Sequence, residues 1–303
     1  MISSTALRYF AEVYRSGSFR AAAERLFVAP SAVSRQVALL EEELSAPLFE
    51  RGRGRTRLKL TAAGEILMQY ARTAENDQQR VRSDIESLKG LRKGTIRFGV
   101  PETFTRHFIP EFLARFSKLY PRITFHVHVS GTPTLSEWLL RDDLDVILGF
   151  NAPPAADLLT IFERMLRTCI VVSADHPLAA REWVRLSDCA GHNIALPDES
   201  ISVKPIYDEM LAKAKLQAQP VLTSNSYELL RAVSVQGMSL AMVNEHMRYP
   251  NDNSPAYRYI PIRDPGVKPQ RFALCVRRGR NLSVAVHTFI EHLHKDLRLA
   301  QTG

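Results

Sequence analysis

The chain has 303 residues, 45% of them hydrophobic and 24% charged, with a formal net charge of +8. That length supports two or three domains with a sizeable core, and the basic balance suits a polyanionic partner. Cys169, Cys189 and Cys275 are odd in number and lack metal-ligand spacing, which argues against a disulfide framework and for a reduced, cytoplasmic setting.

At the start of the chain, Arg8 and Glu12 interrupt an amphipathic stretch where a signal peptide would need an apolar run. No apolar run reaches the roughly 18 residues a membrane helix needs, so no membrane partner is expected.

Residues 18–61, SFRAAAERLFVAPSAVSRQVALLEEELSAPLFERGRGRTRLKLT, predict two short helices around a tight turn and then a basic hairpin. Ser18 is a good N-cap residue, and Ala22, Ala23 and Leu26 share one face of the first helix. The second helix starts near Pro30, which suits a first helical turn, and repeats Val33, Val37, Leu40 and Leu44 on its apolar face. Small alanines let the pair cross closely, as a helix-turn-helix requires. That geometry frees Pro30, Ser31, Ser34, Arg35 and Gln36 to enter a DNA major groove, where serine, arginine and glutamine hydrogen-bond base edges. Ser18 and Arg20, opening the first helix, join the candidate DNA contacts.

In the hairpin Arg51, Arg53, Arg55, Arg57 and Lys59 recur at period two, so an extended chain aligns them along one face. Residues 1–93 carry sixteen Lys or Arg against eleven Asp or Glu, an excess concentrated in this hairpin. A helix pair alone reads equally well as core, and a charge run alone as solvated surface. In this order and so short a span, they point to a DNA-binding head.

From Thr61 to Leu88 the chain has no proline, and no glycine after Gly64. Leu67, Ala71, Ala74, Gln78, Val81, Ile85 and Leu88 fall at alternating spacings of four and three, a heptad seam with polar residues between. Such a helix, at 1.5 Å per residue, would extend roughly 40 Å. The seam fits a second copy of the chain, because paired heads would read two half-sites related by two-fold symmetry. Packing against the parent domain is the alternative, and Ala71, Ala74 and Gln78 make the middle of the seam weak.

Beyond the basic linker at 91–93 the pattern changes. Strands are predicted at 95–100, 123–129, 144–150, 168–172, 193–196, 221–222, 239–243 and 271–276. Helices fall near 108–116, 135–140, 203–215 and 227–235, and a final helix carries Val286, Phe289, Ile290, Leu293 and Leu297 on one face. Strands alternating with helices predict a parallel α/β sheet.

The segments SFRAAAERL, APSAVSRQV, PLFER, LTAAGE, GTIRFGV, FLARFSKLYP, LDVILG, VVSADHPL and QGMSLAMV occur in an order that resembles LysR-type transcriptional regulators nearly end to end. The resemblance implies an α/β protein overall: a winged helix-turn-helix over 1–61, a linker and dimerisation helix over 62–90, and an effector-binding region over 91–303. That region would be of type 2 periplasmic-binding-protein kind, with subdomain I at about 94–163 and 272–303 and subdomain II at about 168–266. It implies an inverted-repeat operator in double-stranded DNA, a homodimer or homotetramer, a small-molecule effector, RNA polymerase as a further candidate partner, and no cofactor.

Three departures stand out. Ala29-Pro30-Ser31 replaces the family's common Ser-Gln-Pro, the wing is about two residues longer, and Asn244 stands where many members have proline.

Ligands in such folds bind at the carboxyl ends of strands, against helix starts that suit small anions. The candidates are Thr103 and Thr105 past the first strand, Ser130, Gly131 and Thr132 before a helix, and Asn225 and Ser226 before another. Ser202 is a weaker candidate, and Thr134 with Glu137 fits a capping box. Each of these residues could equally be an ordinary helix cap.

His126 and His128 share a strand face; without a third ligand, burial under covering helices is expected rather than a metal site. His287, His292 and His294 read as surface, and Cys169 and Cys275 could face each other on neighbouring strands. No phosphate loop, nucleophile elbow or dinucleotide fingerprint supports an enzyme. The competing reading is a constitutive DNA-binding or architectural protein whose C-terminal region only oligomerises.

Overall fold

The computed structural model describes residues 2–50, 58–88, 93–152, 155–201, 203–216, 220–245 and 256–300, omitting the side chains of 86–88. The chain forms two compact units, Met1–Gln79 and Arg80–Gly303.

In the first unit, α1 (Ser4–Ser16), α2 (Phe19–Leu26) and α3 (Pro30–Glu43) pack around Phe10, Ala22, Ala23, Val33, Val37, Leu40 and Leu48. Ala22 and Ala23 are fully covered, the close helix crossing their size predicts. The helix α1, not anticipated from the sequence, turns Ala6, Leu7, Phe10 and Val13 inward and ends at Gly17, whose φ of 75° places the αL cap. Leu44, expected on the apolar face of α3, instead forms the C-cap and lies exposed.

An antiparallel bridge between Phe49 and Leu60 closes the base of the predicted hairpin, and Glu50 N–H donates to the Lys59 carbonyl at 2.9 Å. Arg51, Arg53, Arg55 and Arg57 lie outside the described residues. The long helix α4 (Ala62–Leu88) opens at Thr61, whose hydroxyl accepts the Gly64 N–H at 3.0 Å and donates to the Pro47 carbonyl at 2.6 Å.

The second unit contains, in chain order, β1 (Gly94–Val100), α5 (Phe108–Leu119), β2 (Ile123–Val129), α6 (Thr132–Leu140), β3 (Val146–Phe150) and β4 (Leu158–Leu166). There follow β5 (Thr168–Ser173), β6 (Ile194–Pro197), α7 (Lys204–Lys213), β7 (Pro220–Ser224), α8 (Tyr227–Val235) and β8 (Leu240–Asn244). The chain closes with β9 (Tyr257–Pro261), β10 (Gln270–Arg277) and α9 (Val284–Leu299). Two five-stranded sheets result, ordered β2-β1-β3-β10-β4 and β7-β6-β8-β5-β9.

The sheets are mixed rather than parallel. Strands β1, β2 and β3 run together, but β10 is antiparallel to β3 and β4; likewise β6 is parallel to β7 and β8, while β5 is antiparallel to β8 and β9. The chain passes between sheets twice, from β4 to β5 across Arg167 and from β9 to β10, and each crossing joins the strands that run against their neighbours.

Each sheet has its own core. In the first, Phe289 of α9 meets Phe98, Phe112 and Phe116 at ring-centroid distances of 5.2, 5.1 and 5.4 Å. Such pairs add about 0.5–1.5 kcal/mol each beyond burial, and they tie α9 to β1 through Phe98 and to α5 through Phe112 and Phe116.

Four side-chain expectations are corrected. His126 and His128 are exposed, because β2 is the edge strand of its sheet, although the His128 ring packs edge-on against Trp138 of α6. His292 and His294 are half-buried: His292 Nε2 lies 3.2 Å from the Tyr120 hydroxyl, and the His294 ring packs edge-on against Phe162. Cys169 sits on β5 and Cys275 on β10, so they belong to different sheets and cannot face each other on neighbouring strands. The N-cap of α6 is Gly131, and Glu137 pairs with Arg141 at 2.5 Å, so Thr134 and Glu137 form no capping box.

Candidate DNA-reading and effector sites

Ser18 caps α2, its oxygen accepting the Ala21 N–H at 3.1 Å, while exposed Arg20 reaches Glu24 one turn on, at 3.4 Å. The helix α3 begins at Pro30 with Ala29 as N-cap, with no side-chain cap and no acidic residue in its first turn. The positive end of its dipole therefore meets whatever approaches without internal compensation.

Pro30, Ser31, Ser34 and Arg35 are exposed there and Gln36 is half-buried, with Val33, Val37 and Leu40 anchoring the opposite face. Arg20 and Arg25 are engaged with Glu24 and Glu12; among the described residues Arg35 has no ion-pair partner. Sequence reasoning missed Phe27, the C-cap of α2, which takes φ 56° and is 94% exposed.

The predicted seam on α4 divides. Leu67 and Ala71 are buried with Met68 in the head's own core, and Ala74 is half-buried. Gln78, Val81 and Ile85 are exposed, the last two by 46% and 49%; the Leu88 side chain lies outside the described residues.

In the second unit, strand ends from both sheets meet. The chain leaves β1 into a single 3-10 turn, Glu102–Phe104, pinned by Phe104, whose ring stacks on Phe150 and packs against Phe272. That anchor holds Glu102 and Thr103 at the carboxyl end of the sheet. Across the junction Ser226, the N-cap of α8, accepts the Leu229 N–H at 3.1 Å and donates to Glu102 Oε1 at 2.8 Å. Beside it Arg106 pairs with Glu228 at 3.2 Å, and Glu228 also pairs with Arg231 at 2.9 Å. The start of α6 closes on the other lobe as well: a Cβ added to Gly131 would stand 3.4 Å from the Ser200 carbonyl oxygen.

The predicted effector residues differ in what they still offer. Thr132 is buried and its hydroxyl accepts the Phe150 N–H at 2.9 Å, while the Thr105 hydroxyl donates to the Glu102 carbonyl at 2.7 Å within its own turn. Ser130, half-buried, donates its N–H to the Val100 carbonyl at 3.2 Å; Asn225 is exposed, and Ser202 lies outside the described residues.

Two atoms stand out: Thr103 Oγ1 and Glu102 Oε2 are buried with no hydrogen-bond partner among the described residues. Buried polar atoms in that state are costly, and they mark places where a ligand or water supplies the partner. Burial pushes the Glu228 carboxyl above its ordinary range, opposed by Arg106 and reinforced by neighbouring Glu102. Glu102, Arg106 and Glu228 were not anticipated; a carboxylate just past the first strand was the available signal.

The thiols offer no chemistry of this kind. All three are buried; burial, with Asp188 and Asp264 beside it, pushes Cys189 up to about 12, and burial raises Cys275 as well. Among the described residues no group of three His, Cys, Asp or Glu could hold a metal ion, and no helix is long and apolar enough to cross a membrane.

A helix-turn-helix with an open recognition end, joined by a long helix to two mixed α/β sheets with facing strand ends, defines a DNA-binding regulator with a ligand-binding region. Family models agree at both ends: "Bacterial regulatory helix-turn-helix protein, lysR family" matches residues 4–65, and "LysR substrate binding domain" matches 89–298. The chain belongs to the LysR family of transcriptional regulators, a family of DNA-binding proteins with effector-binding domains and not of enzymes.

Among curated relatives it is similar to the RuBisCO operon transcriptional regulator of Allochromatium vinosum, 27% identical over 96% of this chain and 95% of that protein. It is also similar to a probable RuBisCO transcriptional regulator of Synechocystis, 28% identical over 78% of this chain and 70% of that protein. Among solved structures, full-length OxyR from Pseudomonas aeruginosa shares the fold with a TM-score of 0.72 at 23% identity, covering 99% of this chain and 95% of that one. Full-length CbnR complexed with its target DNA shares it with a TM-score of 0.63 at 19% identity, covering 97% and 99%.

Proposed function

We propose that this chain binds an inverted-repeat operator through paired heads, and that a small carboxylate-bearing effector, held between its two α/β lobes, modulates that binding. Base reading falls to Pro30, Ser31, Ser34, Arg35 and Gln36, with Ser18, Arg20 and the arginines of the wing gripping the backbone. The domain limits given above, 1–61, 62–90 and 91–303, describe the division of labour.

One observation carries the effector half of the proposal: the junction of strand ends where Ser226 bonds Glu102 across the lobes while Thr103 Oγ1 and Glu102 Oε2 stay buried and unpartnered. A ligand there touches both lobes at once. It therefore has a differential affinity for their arrangements, which is the requirement for shifting an equilibrium. Helix starts at α6 and α8 favour a carboxylate, and the free Glu102 oxygen favours a donor on the same molecule.

The test is a thermal-shift screen of the full-length chain against small carboxylates, hydroxy acids and amino acids. A hit should raise Tm in the wild type and lose most of its effect in Thr103→Val. The absence of any hit, with an unchanged DNA footprint, would favour an effector-blind oligomerisation region.

A further inference from the structure

Phe27 is placed where a phenylalanine is poorly suited on two counts. It takes φ 56°, a left-handed conformation that favours glycine or asparagine, and its side chain is 94% exposed. The conformation is fixed by the backbone: Phe27 N–H donates to the Glu24 carbonyl at 3.3 Å, and Val28 N–H to the Ala23 carbonyl at 3.0 Å. Val28 then turns inward against the head's core, so the residues on either side, Phe27 and Ala29, are directed outward. Pro30 follows, also exposed, as the first residue of α3. The tip that leads into the recognition helix is thus apolar, and the first polar side chain on it is Ser31.

This tip has a defined neighbour. The N-terminal residues of a recognition helix contact base edges in the major groove, and the one apolar group displayed there is the 5-methyl of thymine, which phenylalanine and alanine contact. An exposed ring on a hydrogen-bonded turn three residues before α3, with no ring contact among the described residues, suits that methyl.

We infer that Phe27 is a specificity residue that packs on a thymine methyl at the edge of each half-site. The inference rests on the reading of α3 as the base-reading helix.

The test separates the two. Full-length protein is used to select duplexes from a random library, and each thymine of the selected site is then replaced in turn by deoxyuridine, which differs only in lacking the methyl. The wild type should bind about three- to fivefold more weakly at one thymine per half-site, the loss expected for a single uncovered methyl group. Phe27→Asn supplies a residue suited to the left-handed turn, and Phe27→Ala removes the ring with the least other change. Both should bind the thymine and deoxyuridine duplexes equally at that position, with unchanged affinity for random DNA and with melting no lower than that of the wild type. If the wild type tolerates every replacement, or the variants still distinguish the two bases, the assignment to Phe27 fails while α3 stands. If no sequence is selected at all, both fail.

Discussion

Gly64 lies so close to the Leu48 carbonyl that an added Cβ would sit 2.1 Å from the oxygen, with backbone on both sides of the contact. Neither partner is a flexible chain end, so Gly64→Ala must move α4 away from the base of the hairpin. A loss of about 1–3 kcal/mol in stability of the head is expected, read by denaturant unfolding, as for other overpacked interiors. A variant as stable as wild type would show that this contact is looser than described.

Glu228 makes a second prediction at this scale. Its carboxyl is raised in the folded chain by burial, so the folded state holds that proton more tightly than the unfolded state. Stability contributed by this group therefore falls as pH rises through the ordinary glutamate range, between about pH 4 and the raised value. Glu228→Gln abolishes the titration. The wild-type Tm minus the variant Tm should decline across that window and level off above it, and a flat difference would contradict the burial of this carboxyl.

At the level of single residues, caps and small core residues were legible in the sequence: Ser18, Ala22, Ala23, Pro30 and Ser226 occupy the positions their chemistry suits. Phe27 was not legible, because nothing in its own identity announces a left-handed turn.

Among the elements, α4 carries the clearest consequence. The seam's first half is filled by the head's own core, and of its described apolar residues Val81 and Ile85 are the pair left uncovered. If that pair joins a second copy, burying the half of each side chain still exposed contributes about 1 kcal/mol, part of a modest interface. Replacing both with aspartate should lower the mass measured by light scattering at micromolar concentration while leaving the fold intact by circular dichroism. An unchanged mass would place assembly elsewhere.

Strands such as β1 and β5 were legible because their apolar residues alternate or run continuously between breakers. β4 was not. Leu158, Phe162 and Leu166, its buried positions, are spaced by four, and the register with β10 shifts between Leu274 and Cys275, so a strand there mimics a helix in sequence. β9 is short and ends in Pro261, which weakens any strand signal. The mixed sheets follow from the two chain crossings, long-range facts that no local pattern carries.

For the molecule as a whole, a ligand at the junction of the lobes and DNA at the heads can influence each other only if both prefer the same arrangement of the chain. That coupling is reciprocal: whatever factor the effector adds to operator affinity, the operator adds to effector affinity. A typical coupling of about 1–3 kcal/mol corresponds to roughly 5- to 150-fold, well within reach of titration. The decisive experiment titrates the best carboxylate hit into full-length protein with and without its selected operator, and the operator into protein with and without the hit. The two ratios should agree and both should differ from one, and Thr103→Val should bring both back toward one. Two ratios equal to one, with tight binding of each ligand, would contradict an effector-modulated regulator and leave a protein that binds DNA and small molecule independently.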